Sequence, residues 1–180
     1  MRNNLFGVSL VLMAAAGLCL AAGVRQKTNN KLSPSASASM KLGGHEILIE
    51  YNAPSARGRK VEGGLIPYGS VWRTGADAAT TLSTDADLMI GDLRVPKGAY
   101  TIYTLASESG WKLIVNKQTG QWGTEYSEGQ DLGRVPLKLT ALSTPVEKFE
   151  IRLQASGSSA GTLEMSWGKT SASVPVRLAQ

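Results

Sequence analysis

The sequence predicts an all-β protein, an antiparallel β-sandwich of jelly-roll-like character with about nine to eleven strands. Three observations lead there. Apolar and polar residues alternate with a period of two, as in Phe149, Ile151 and Leu153 set against Lys148, Glu150 and Arg152. Glycine supplies 20 of the 180 residues and falls between such runs, where tight turns are needed. No segment after the N-terminal leader shows the 3.6-residue period of an amphipathic helix.

Residues 1–23 are expected to be a signal peptide, with Arg2 as the positive start, an apolar run from Leu5 to Gly17, and small residues at Ala21, Ala22 and Gly23. An uncleaved anchor is one alternative. Lipid attachment at Cys19 is another, opposed by the bulk of Leu18 just before it. The reading therefore places the protein outside the cytoplasm, periplasmic or secreted, with no membrane span in the mature domain. Removing the leader also removes the single cysteine, so the domain must be held by its core alone. Residues 24–36 read as a flexible polar linker, and residues 37–180 as one β-sandwich domain.

Met40–Leu42 and His45–Tyr51 flank Gly43-Gly44 and read as a hairpin, with His45, Ile47, Ile49 and Tyr51 on one face. Asn52 to Gly64 is a long loop leading into Gly63–Thr81, a glycine-rich run expected to be a shaped loop. Thr80–Ser83, Asp87–Ile90 and Leu93–Val95 are short strands. Ala99–Ala106 is apolar on both faces, as a central strand would be, and Trp111–Val115 is its partner. Lys117–Asp131 is a second long loop, carrying Trp122 and Tyr126. Val135–Leu139, Phe149–Leu153, Leu163–Trp167 and Val174–Leu178 complete the strands, with Gly168-Lys169 expected to turn the last pair. Pro136 and Pro175 are expected to mark edge strands.

The chemistry available is limited. One histidine and one leader cysteine exclude a Cys/His metal centre and a site with several His ligands, and no cofactor is implied. Gly157-Ser158-Ser159-Ala160-Gly161 matches the nucleophile-elbow spacing, but a strand follows where that motif needs a helix, so it reads as a hairpin loop. Asp77, Asp85, Asp87 and Asp92 match no calcium-loop spacing. The net charge of +5 is scattered. Its one cluster, Arg57 to Lys60, lacks the interleaved aromatics of a nucleic-acid surface and reads first as a solvated loop, with attraction to an anionic ligand or an acidic surface as the other option.

Arg73 and Asp77, four residues apart, are expected either to close an ion pair that fixes the loop or to grip a carboxylate or phosphate. Tyr68, Trp72 and Trp122 either form an exposed stacking surface or fill the core at the end of the sandwich.

Several runs resemble the exported bacterial DUF2911 family. They are Tyr51-Asn52-Ala53-Pro54-Ser55 through Arg59, Gly64-Leu65-Ile66-Pro67-Tyr68-Gly69, and Val71-Trp72-Arg73-Thr74-Gly75-Ala76-Asp77-Ala78-Ala79-Thr80-Thr81. Val95-Pro96-Lys97-Gly98-Ala99-Tyr100, Asn116-Lys117 and Gln121-Trp122-Gly123 add to the likeness, as does Trp167–Pro175. It covers Ser33 to Leu178. Asp77-Ala78 stands where the family usually has Asn-Glu, and Val95 where Leu is usual. The resemblance implies an exported β-domain and no particular activity.

The expected function is binding of a small polar or anionic ligand, a glycan among the options, in a cleft between the Tyr68–Asp77 and Gln121–Tyr126 loops. Tyr68, Trp72, Arg73, Asp77, Trp122, Arg57 and Arg59 are its expected contacts. The alternative is a module that docks an envelope protein through a sheet edge or face. A third reading, a hydrolase or isomerase, needs His45 or Asp77 converging on one pocket.

Overall fold

A computed structural model describes residues 32–180. The expected signal peptide and most of the expected linker lie outside the described residues. The strands are β1 (Ser35–Leu42), β2 (His45–Asn52), β3 (Val71–Trp72), β4 (Thr81–Thr84), β5 (Leu88–Ile90) and β6 (Leu93–Val95). They continue with β7 (Gly98–Ser107), β8 (Gly110–Asn116), β9 (Asp131–Ala155) and β10 (Ala160–Leu178). All pair antiparallel in the order β1-β2-β4-β7-β8-β9-β10-β5-β6, with β3 added beside β7. The fold is all-β, as the alternating pattern predicts.

β9 links the two halves. It pairs with β8 as far as Leu137 and with β10 from Lys138 onward, so one strand passes from the first half of the sheet to the second. Ile47, Ile49, Leu82, Ile102 and Leu113 of the first half share one buried cluster with Ile90, Ile151, Leu163, Val174 and Val176 of the second. Each of these residues sits at alternate positions of its strand, which is why a period of two suffices to build a sandwich-like core. β7 lies between β4 and β8, the central place its two apolar faces require. Its outer face is covered as well: Tyr103 and Ile114 are buried outside the main cluster. Among the described residues no helix is long and apolar enough to cross a membrane.

Four expectations change. Strand β1 begins at Ser35, inside the stretch read as linker, because Ser35 to Ser39 pair residue for residue with Asn52 to Leu48. Backbone pairing needs no apolar side chain, so a Ser/Ala run carries little signal of it. Val71–Trp72 is a short strand within the run read as loop. Gly168-Lys169 does not turn a hairpin. It is an irregularity within continuous β10, where the register with β9 shifts and Gly168 takes φ +58°. Pro136 and Pro175 do not mark outer edges, which belong to β1 and β6. They sit beside the points where β9 and β10 change partners, Pro136 still opposite Lys112 of β8 and Pro175 between the residues of β10 that pair with β9 and with β5.

Candidate functional site

Three loops meet at one end of the fold. The first, residues 53–70, is fastened to β9 and β10. Ala56 N–H donates to Glu147 O at 2.8 Å and Arg57 N–H to Glu147 Oε1 at 2.7 Å. Farther along, Glu62 Oε1 accepts from Lys169 N–H at 2.8 Å and from the Thr170 hydroxyl at 3.0 Å. Arg59 ties the loop to itself, its Nε donating to Ala56 O and its Nη2 to Ser55 O, both at 2.9 Å.

The second is the turn after β3. Strand alternation sends Trp72 inward, edge-on to Phe149 at 5.0 Å and stacked on Trp167 at 5.8 Å, and leaves the next residue, Arg73, at the surface. The turn is then clasped to β7: Thr74 Oγ1 lies 2.8 Å from Thr104 Oγ1, and the Thr80 hydroxyl donates to Thr74 O at 2.8 Å. All three threonines are fully buried. The third loop, residues 117–130, locks onto the turn through Gly123 N–H, which donates to Asp77 O at 3.0 Å. A β-carbon on Gly123 would lie 2.7 Å from that oxygen and 2.8 Å from Arg73 Cδ, so only glycine permits this approach.

Between the first two loops lies a groove of about 590 Å³. Arg57, Arg59, Arg73 and Asp77 line it, with Trp72 and Trp167 as its apolar floor. Arg94, Arg134 and Arg152 each hold a carboxylate elsewhere on the surface. Among the described residues none of the three groove arginines has one within ion-pair distance. Among the described residues, Arg57, Thr74 and Asp77 are the non-glycine ones with left-handed φ, at 51°, 54° and 59°. All three fall in the groove's two loops, and such a backbone costs about 1–3 kcal/mol per residue for most side chains, least for Asp.

Five of the seven expected contacts therefore come together. Tyr68 and Trp122 do not join them. Tyr68 is 38% exposed and bridges to Ala106, while Trp122 is 51% exposed and pairs with Ala78. With Trp72 turned into the core, the three rings form no common stacking surface. Nor does an ion pair join Arg73 to Asp77. The left-handed residues at 74 and 77 redirect the chain between them, and the Arg73 stem lies against Gly123. The expected cleft partner, the 121–126 loop, walls a second chamber of about 300 Å³ instead. Trp167 and Tyr103, not singled out as site residues in the sequence, line the groove and the chamber respectively. The signal available for Tyr103 was its place on the second apolar face of a central strand.

His45 and Asp77 share no cavity. His45 is exposed at the start of β2, its Nδ1 3.1 Å from Asp85 Oδ1. Among the described residues no group of three His, Cys, Asp or Glu side chains is placed to hold a metal ion. The residues 156–159 join β9 to β10 as a hairpin loop, with no helix after them.

A family model described as a protein of unknown function, DUF2911, matches residues 33–176. No curated protein and no solved structure matches the chain.

Proposed function

The chain belongs to the DUF2911 family, whose description assigns no activity, and from its own residues we propose that it binds a small anionic ligand in the groove between residues 54–59 and 72–77. One observation carries the reading: three guanidinium groups from two loops line one concavity, and none is neutralised by a carboxylate among the described residues. Like charges gathered without a counter-charge repel, and an anion removes that repulsion while accepting charge-assisted hydrogen bonds from the donors that Arg57 and Arg59 do not already give to the Leu32, Ala56 and Ser55 carbonyls. The left-handed backbone at Arg57 and Asp77 supports the same reading, because strain of this kind persists where the surrounding structure fixes a side chain for use. Trp72 and Trp167 add an apolar wall, so the ligand is more than a bare ion. The leader-like residues 1–23 support a site of action outside the cytoplasm.

Thermal unfolding of the protein against organic carboxylates, phosphate esters, nucleotides and neutral sugars tests this. A true ligand at a hundredfold its Kd adds about 2.7 kcal/mol, a shift of several degrees at this size. The shift should come from the anions and vanish in Arg73→Ala. Neutral sugars stabilising as well as their acids would reject the proposal.

A further inference from the structure

The groove and the chamber are neighbours. Leu65, Trp72 and Arg73 line both, so Arg73 and its two neighbours form the partition between them. The chamber differs in chemistry from the groove. Its polar groups include the phenols of Tyr103 and Tyr126, set edge to face at 5.0 Å. Tyr103 donates its proton to Glu125 O at 3.2 Å and accepts from Gln121 Nε2 at 2.9 Å. Tyr126 donates to Asp131 Oδ2 at 2.7 Å and accepts from Arg134 Nη2 at 2.9 Å. Burial, followed by the bond to Asp131, pushes the Tyr126 phenol up to about 12, so it stays neutral at ordinary pH. Both protons are committed and each oxygen already accepts one bond, so each can meet a ligand only as an acceptor through its remaining lone pair.

We infer that groove and chamber form one two-part site for a hydroxylated ring bearing a single anionic group, with the anion held by Arg57, Arg59 and Arg73 and the ring hydroxyls directed to Tyr103 and Tyr126. The inference rests on the proposed anion binding and deepens it. Charge is satisfied on the groove side of Arg73, where the cations are. Acceptors without free protons lie on the other side, where a carboxylate would be repelled and an O–H is welcome. Arg73 faces both parts, so its guanidinium can bind the anion on one side while its stem packs along the ring.

The test is calorimetric titration of the full chain with glucuronate, glucose 6-phosphate, glucose and cyclohexanecarboxylate. The expected result is that one or both anionic sugars bind at least tenfold tighter than cyclohexanecarboxylate, with glucose weaker still. Which of the two wins distinguishes carboxylate from phosphate. Tyr103→Phe and Tyr126→Phe, which keep the rings, should erase the preference over cyclohexanecarboxylate while leaving that acid's own affinity unchanged. Equal binding of the sugar acids and cyclohexanecarboxylate, lost in Arg73→Ala, would overturn the two-part site and leave anion binding standing. No binding of any anion would remove both.

Discussion

Between the two halves of the sheet, the Phe149 ring is held by shape, meeting Tyr51, Trp72 and Trp167 at centroid distances of 5.6, 5.0 and 6.0 Å. A few residues away, the turn at Thr74 is held by direction: one hydroxyl meets another at 2.8 Å, and the chain bends through left-handed residues to allow it. The first region asks only for apolar volume, which many sequences can supply. The second asks for particular atoms at bonding distance. Packing thus makes a platform that tolerates change, and the hydrogen-bonded turn places side chains that would not otherwise stay where they are.

Phe149→Ala should give the largest loss, about 3–5 kcal/mol in denaturant unfolding, because it opens a cavity at the centre of the aromatic cluster. Phe149→Leu should lose much less. A cost for leucine equal to that for alanine would mean that the core is as exacting as the turn. Thr74→Val keeps volume and branching but strands the Thr104 hydroxyl, and should cost about 1–3 kcal/mol. Adding Thr104→Val should recover much of that loss, and simple additivity would show that the bond is not what holds the turn. Gly123→Ala should cost about 1–3 kcal/mol through its clash with Asp77 O and Arg73, and should weaken anion binding in the same titration. Gly157→Ala, where a β-carbon meets open space, should stay within about 0.5 kcal/mol of the parent.

The smallest effect concerns Asp87, away from both regions. The Lys97 N–H and the Arg94 guanidinium hold its carboxyl below the ordinary range. A depressed folded value means the contribution is present above the unfolded value, about 3.9, and is lost as pH falls through the folded one. Acid titration of stability below about pH 4 should be slightly shallower in Asp87→Asn.

The two regions also differed in how far the sequence disclosed them. Phe149, Ile151 and Leu153 announced a strand because burial on one face imposes a period of two that any reader of the chain can see. The Thr74–Thr104 clasp left no such trace, since threonine suits a strand, a turn or a surface equally. Glu62 was invisible for another reason: its partners, Lys169 and Thr170, lie more than a hundred residues away, and nothing local records them. The meeting of Arg73 and Asp77 in one loop was legible, and both do line the groove. Their expected ion pair failed because spacing along the chain says nothing about left-handed residues in between. The contribution of Arg57 and Arg59 was half legible. Their charge was plain, but the contact with Glu147 that brings their loop to the groove joins distant segments.

The passage of β9 between the halves also bears on the order of events when the chain folds. The half built from β1, β2, β3, β4, β7 and β8 carries an apolar face whose cover needs Phe149 to Val176, made later than all of those strands. Closing that face requires contacts across most of the chain, so the protein belongs with the slow, non-local folders that take milliseconds to seconds. Chains ending before Phe149 would hold a sheet with a bare greasy side and should clump rather than rest as a partial domain. Refolding from denaturant should be accordingly all-or-none, with no stable species containing the first eight strands alone.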